Sequence, residues 1–483
     1  MRRSHKYWKN KKVLYVRPWP FFGFVAPTLV RYRAYPWVLQ NVYNVFPEQR
    51  YFGLYQFVTP YLMIKNPDLI ATIAINDVET FPCHRTKIDP ESDPIYAKLL
   101  FSMKAGEQWK ESREILKLAL SGNKLKNSFR LMQECSKDFV NYFSKEGTVE
   151  VELKDVSAKF ANDVIAAVFG YKCNSLENPS NDFYLTTKYV TEFHFLRAIK
   201  FFLYKLSPRM MKFFKFSLVD NRTRLFFHRL IQKNRLSQNS LNFSKRPCSE
   251  NFNEDCFLVK NNNGKLENSD DDILAQAIQF LFFDFKTIST VLLFAMYEIS
   301  QNIKVQEKLI CEIDKVRKEV SYESLAGIEY LDMVVAETLR KWPPTITTDR
   351  KSEKPFTIEP TKPWEETQKF DAETLCLIPI FALHRDPKYF PNPDVFDPER
   401  FNAQNKKHIK PFTYIPFGVG ARNCVGSEFA LIQIKIFLFN LLSRFRLVKS
   451  DKSKDVITLS KTVFRLVPEG RVWIKFEPRR NEV

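Results

Sequence analysis

Apolar and polar positions follow a helical period over most of the stretch from about Asp68 to Arg340, with short β-like runs on either side. Tyr51 to Lys65, carrying Tyr55, Phe57, Val58 and then Leu62 and Ile64, predicts a β-hairpin turning at Thr59-Pro60. Before it, Arg17-Pro18-Trp19-Pro20-Phe21-Phe22-Gly23 predicts a stiff extended lead-in, and Asn41 to Phe46 a helix. Residues 150–232 predict further helices of rising aromatic content. Within them, Arg197 to Asp220 interleaves Phe and Met with Lys and Arg. That pattern suits a surface lying in a membrane interface, or equally a core helix pair broken at Pro208. Residues 233–270 are polar and predict a mobile connection. Ser269-Asp270-Asp271-Asp272 then caps a long, mostly apolar helix from about Ile273 to Ser300, which implies burial through the middle of a domain. A helix over about 302–320 follows, and another through Glu337 and Arg340 that Pro343-Pro344 ends. Thr458 to Phe476 predicts a β-hairpin closed near Pro468-Glu469-Gly470.

Composition adds scale to this pattern. With 483 residues and 45% hydrophobic content, no dividing linker and no internal repeat, the chain predicts one large mainly α domain with a minor β part. Residues 1–25 form a basic, Pro-rich lead-in and 26–483 the domain. The net charge of +19 raises nucleic acid as a partner, but the basic residues are scattered among aromatics and form no nucleic-acid module. A surface facing acidic proteins or anionic lipid fits as well. The eight cysteines lie at 83, 135, 173, 248, 256, 311, 376 and 424, with no CxxC pair, so zinc and thioredoxin-like chemistry are unsupported. For all but Cys424 the expectation is a buried free thiol in a reducing compartment. No signal peptide and no apolar run long enough to span a bilayer is read.

Candidate chemistry concentrates in Pro416-Phe417-Gly418-Val419-Gly420-Ala421-Arg422-Asn423-Cys424-Val425-Gly426. This stretch holds a quarter of the chain's 12 Gly. Such a loop needs a backbone only Gly adopts, or admits a flat ligand closely. Cys424 stands just ahead of an apolar helical run, where unpaired N–H groups favour a thiolate, the form a haem iron needs. Trp109 and Arg113, at i and i+4, make either a carboxylate grip or an amphipathic helix with a solvated Arg. Glu337 and Arg340, at i and i+3, are a surface pair, or a buried one needing a further partner, for which Arg400 is in position. Asp284, Lys286 and Thr287 sit midway along the long apolar helix, where ionised groups are costly unless paired or facing a wet cavity.

In this order the pieces resemble the cytochrome P450 family of haem-thiolate monooxygenases, over about residues 13–477. The pattern F-x-x-G-x-R-x-C-x-G is complete at Phe417, Gly420, Arg422, Cys424 and Gly426. Glu337-x-x-Arg340, Pro398-Glu399-Arg400-Phe401 and Trp109-x-x-x-Arg113 add weaker matches. The long helix, the Phe/Lys-rich 197–216 stretch and Lys341-Trp342-Pro343-Pro344 are most similar to insect microsomal, xenobiotic-metabolising members. The resemblance implies a mainly α cytochrome P450 fold, haem b as cofactor, and insertion of one oxygen atom into an apolar small molecule. It implies Cys424 as the axial thiolate with Phe417 packing beside it. Trp109, Arg113, Arg350 and Arg422 would grip the haem propionates, with His84 a further candidate. Glu337, Arg340 and Arg400 would form a buried triad, and Thr287 would handle bound oxygen and its protons.

It also implies NADPH electrons delivered by a flavoprotein reductase. Lys104, Lys110, Lys117, Lys406, Lys407, Lys410 and Lys435 form either its docking face or a solvated surface. The expected location is the cytoplasmic face of the endoplasmic reticulum membrane, held peripherally if the usual anchor ahead of residue 1 is absent. Substrate-facing regions would be 86–104, 190–215, 278–288, 343–350 and 459–465. The chain departs from the family at Phe283 and Asp284, where a small residue and Gly are usual, and at Lys286, where an acid is usual. These departures support an alternative, a haem-binding protein with impaired or altered oxygen activation. A third reading, a haem-free structural or nucleic-acid-binding protein, rests on charge alone.

Overall fold

Strand-forming residues lie mainly at the two ends of the chain and in its last third. The computed structural model describes residues 6–85, 88, 90–91, 93–192, 213, 219–239, 270–316, 320–363, 365–453 and 456–479. Their strands are β1 (Tyr51–Gln56), β2 (Thr59–Ile64), β3 (Val149–Glu152), β4 (Thr348–Lys351), β5 (Phe356–Ile358), β6 (Gln368–Phe370), β7 (Leu375–Ile378), β8 (Phe445–Lys449) and β9 (Trp473–Pro478). The chain divides into two units, residues 1–85 with 332–424 and 451–472, and residues 86–331 with 425–450 and 473–483.

The first unit is built on a four-stranded sheet of order β1-β2-β7-β4. β1 and β2 form the expected hairpin, but the turn falls at Phe57-Val58, not Thr59-Pro60. Pro60 is already in β2, opposite Tyr55, and Phe57 takes the left-handed conformation (φ +57°) that the reversal needs. The apolar face of this sheet, with Tyr55, Leu62, Ile64, Cys376 and Ile378, packs on Trp8, Ile70 and Phe81. The lead-in is only partly extended. Tyr7–Asn10 is a short helix, and the buried Trp8 indole donates to the Leu54 carbonyl at 3.0 Å. The helix expected over 41–46 runs from Tyr35 to Asn44, started by Pro36 in its first turn.

The second unit is organised by the helix Asp270–Gln301, which has no Gly or Pro. It packs most extensively on the helix Leu153–Val168, and also on Ser427–Arg444 and Asp182–Thr191. Its buried residues, among them Leu274, Ile278, Leu281, Phe285, Ile288 and Leu292, point in several directions, as expected of a central helix. One expectation is corrected here. By length and composition this helix is apolar enough to cross a bilayer, although more than half of that stretch is buried in protein. The interrupting Asp284 and Lys286 hide the run from a reading that asks for unbroken apolar residues.

A three-stranded sheet of order β3-β9-β8 completes this unit. The C-terminal hairpin is also corrected: Trp473 to Phe476 pair with β3 and β8. In the first unit Leu459 bridges Pro468 locally, with the Ser460 N–H donating to the Val467 carbonyl at 2.8 Å and the Glu469 N–H to the Thr458 carbonyl at 2.7 Å. Among the cysteines, Cys83, Cys173 and Cys376 are buried, Cys135 is half-buried, and Cys311 is exposed, against expectation, on the outer side of the helix Ile303–Val316. Cys248 and Cys256, all of the Phe/Lys-rich 197–216 stretch except Phe213, and most of the polar connection lie outside the described residues.

Candidate active site

In the first unit the cysteine loop is fixed at several points along its backbone. Gly418 (φ +74°) and Gly420 (φ +75°) adopt conformations that a side chain would strain. At Gly420 space forbids one as well, since a Cβ would lie 1.7 Å from the Ala74 carbonyl oxygen. The Gly418 N–H donates to the Ile415 carbonyl at 3.0 Å, and the Cys424 N–H to the Phe417 carbonyl at 2.8 Å. Arg422 donates through Nε to the Pro82 carbonyl at 2.9 Å. Phe417 is half-buried at the start of the turn. The loop thus holds Cys424 exposed, outside any disulfide, three residues before the helix Ser427–Arg444.

Arg350, on β4, is fully buried and donates to the Val419 carbonyl at 2.8 Å and to the Asp349 carbonyl at 2.8 Å. Burial works to lower its pKa, and the adjacent Asp349 charge opposes this. Asp349 accepts from the Arg85 N–H at 2.7 Å and lies 3.2 Å from His84 Nδ1. Burial would raise the Asp349 carboxyl, but His84, that N–H and Arg350 outweigh it and hold it below the usual range. The sequence reading missed Asp349. Its place beside Arg350 in a short strand was the available signal.

Glu337, Arg340 and Arg400 come together. Arg340 grips Glu337 with two bonds, Nε to Oε2 at 2.7 Å and Nη2 to Oε1 at 2.8 Å, with both residues fully buried. Arg400 Nε lies 3.5 Å from Glu337 Oε1, and its Nη2 donates to the Asn392 carbonyl at 2.9 Å. The fork-on-carboxylate geometry and the added carbonyl contacts are what a desolvated ion pair requires. Arg340 also donates to the His384 carbonyl at 3.0 Å.

In the second unit Trp109 is buried on the helix Glu107–Ala119, and the Arg113 guanidinium lies over its ring at 5.7 Å. On the long helix, the Thr287 hydroxyl donates back to the Phe283 carbonyl, with the Asp284 carbonyl 3.3 Å away. Phe283 is 48% exposed. Asp284 is buried with Oδ2 unpartnered, near a fully buried Gln433 whose two amide atoms also lack partners. Desolvation pushes Asp284 up to about 8, partly opposed by Gln433. The Lys286 ammonium lies 4.9 Å from the Phe285 ring centroid. Of the basic candidates, Lys110 and Lys117 are exposed beside Glu107 and Glu114, Lys410 pairs with Asp68 at 3.0 Å, and Lys104, Lys406 and Lys407 are exposed.

Among the described residues no group of three or more His, Cys, Asp and Glu could hold a bare metal ion. A single exposed sulfur on a loop fixed by hydrogen bonds would suit an iron whose remaining ligands a macrocycle supplies, so the donor chemistry fits haem. The cytochrome P450 family profile matches residues 16–474. The chain is 36% identical to cytochrome P450 9e2 of Blattella germanica, with 99% of this chain and 95% of that protein covered. It is 34% identical to probable cytochrome P450 9f2 of Drosophila melanogaster, over 99% and 96%. It is 31% identical to cytochrome P450 6j1 of Blattella germanica, over 99% and 95%. The chain therefore belongs to the cytochrome P450 family, with the mainly α fold, the haem requirement and the monooxygenase class of oxidoreductase activity that membership carries.

Proposed function

We propose that this chain inserts one oxygen atom from dioxygen into an apolar small molecule, using electrons from NADPH passed on by a flavoprotein reductase. The observation that carries this reading is the Cys424 loop, which holds one exposed sulfur by hydrogen bonds and two glycines with positive φ. Bound haem b would supply dioxygen activation and oxygen-atom transfer. Cys424 would hold the haem iron through its sulfur, with Phe417 beside it. Trp109, Arg113, Arg350, Arg422 and His84 are the propionate partners. Glu337, Arg340 and Arg400 lock the loop's surroundings. Thr287 positions protons at the oxygen-binding face through its hydroxyl. The Phe- and Leu-rich segment 278–288 favours an apolar substrate. The basic charge and interleaved aromatics favour a place on the cytoplasmic surface of the endoplasmic reticulum membrane.

The test is the spectrum of the reduced, carbon monoxide-bound protein. The purified chain is expected to contain haem and to show a strongly red-shifted thiolate band, which Cys424→Ala abolishes. Protein isolated without haem, or an unaltered band in Cys424→Ala, would end this reading. A second reading, weakened or redirected oxygen activation, is favoured by the buried Asp284, whose desolvation Gln433 only partly offsets, beside the half-exposed Phe283.

A further inference from the structure

One buried histidine belongs to none of the roles above. His384 ends the short helix Ile380–Leu383 and is fully buried in the first unit. Its Nε2 accepts the Ile415 N–H at 2.9 Å. The ring's one proton is then on Nδ1, which faces the backbone of Leu339 and Arg340. The ring stacks on Tyr414, with centroids 5.4 Å apart and planes 28° apart. Its carbonyl accepts from Arg340 at 3.0 Å. Burial lowers the ring to about 3, and the Arg340 and Arg385 charges reinforce this, so the imidazole stays neutral at physiological pH.

Ile415 is where the cysteine loop begins. Its carbonyl accepts the Gly418 N–H, and the turn so formed leads to the Cys424–Phe417 bond. Farther along, Val419 is held by Arg350 and Arg422 by Pro82. The one contact on the Ile415 N–H is therefore the loop's upstream anchor. It also links the loop, through His384, to the Glu337–Arg340 pair.

We infer that His384 is a positioning residue for the iron ligand: its neutral ring, held between the Arg340 cluster and Tyr414, sets the start of the loop that aims Cys424. This rests on the haem-thiolate reading above. A ring fixed as an acceptor keeps that aim across pH, whereas an aliphatic side chain of similar size leaves the Ile415 N–H buried and unpaired.

The test compares His384→Gln, which can return an acceptor near the Nε2 position, with His384→Phe, which keeps a stacking ring but has none. The readouts are the reduced carbon monoxide spectrum and the haem midpoint potential, with circular dichroism as the check on folding. His384→Phe is expected to lose the thiolate band several-fold and to shift the potential, and His384→Gln to restore most of both. Equal spectra and potentials in wild type and His384→Phe would overturn the inference, as would equal damage in both variants. Amide hydrogen exchange on the wild-type protein gives a test that needs no variant to fold. Strong protection at Ile415 is expected, and exchange at the rate of a solvated amide would overturn the inference. Wild-type protein without haem would instead sink the underlying reading.

Discussion

Asp284 shows most directly how one side chain alters a helix. An unfolded aspartate loses its proton near pH 4, whereas in the fold burial pushes this carboxyl up to about 8. Between those values the folded state holds a proton that the unfolded state has lost, so stability falls as pH rises through the window and levels off above about 8. The full loss is on the order of 5 kcal/mol. Asp284→Asn is expected to remove this slope, read by denaturant unfolding at pH 5 and pH 8. A slope identical to wild type would mean that the carboxyl ionises freely. Residue-level legibility was uneven. Cys424 was readable because the glycines around it are scarce elsewhere in the chain. Polar residues set among apolar ones, such as His384 after Ile380-Phe381-Ala382-Leu383 and Gln433 between Ile432 and Ile434, carry no spacing signal. Their surroundings are supplied only by the fold.

At the scale of elements, the long helix combines a half-exposed Phe283, a buried Asp284 and a lysine within little more than one turn of Thr287. Lysine cannot relay a proton as a carboxylate does unless its pKa falls. The expected result is poor coupling, with NADPH consumed in clear excess over product when a substrate is turned over. Product formed one-for-one with NADPH would show that the helix supports full oxygen activation. The helices were legible because their apolar period extends over many residues, and β1–β2 because its strands are adjacent in sequence. The turn at Phe57-Val58 was not, since a left-handed phenylalanine has no sequence signature. The tail was misread because β9 finds partners far away in the chain, β3 on one side and β8 on the other, which no local pattern encodes.

At the scale of the whole molecule, the net charge of +19 is a field as well as a set of contacts. If an acidic reductase docks where Lys406, Lys407 and Lys410 are exposed, replacing all three with Glu should slow electron transfer several-fold at low salt and erase its salt dependence. Stopped-flow reduction at two ionic strengths decides this, and unchanged rates would place docking elsewhere. The central helix carries a different consequence, one of synthesis. By length and composition Asp270–Gln301 leaves the ribosome as a segment that membrane-insertion machinery can sample. Its main packing partner, Leu153–Val168, has by then been made, whereas Ser427–Arg444 is still more than a hundred residues from translation. Early docking onto the upstream helix therefore competes with insertion. Asp284 and Lys286, awkward in the finished fold, add a charge penalty that biases the nascent segment away from the bilayer.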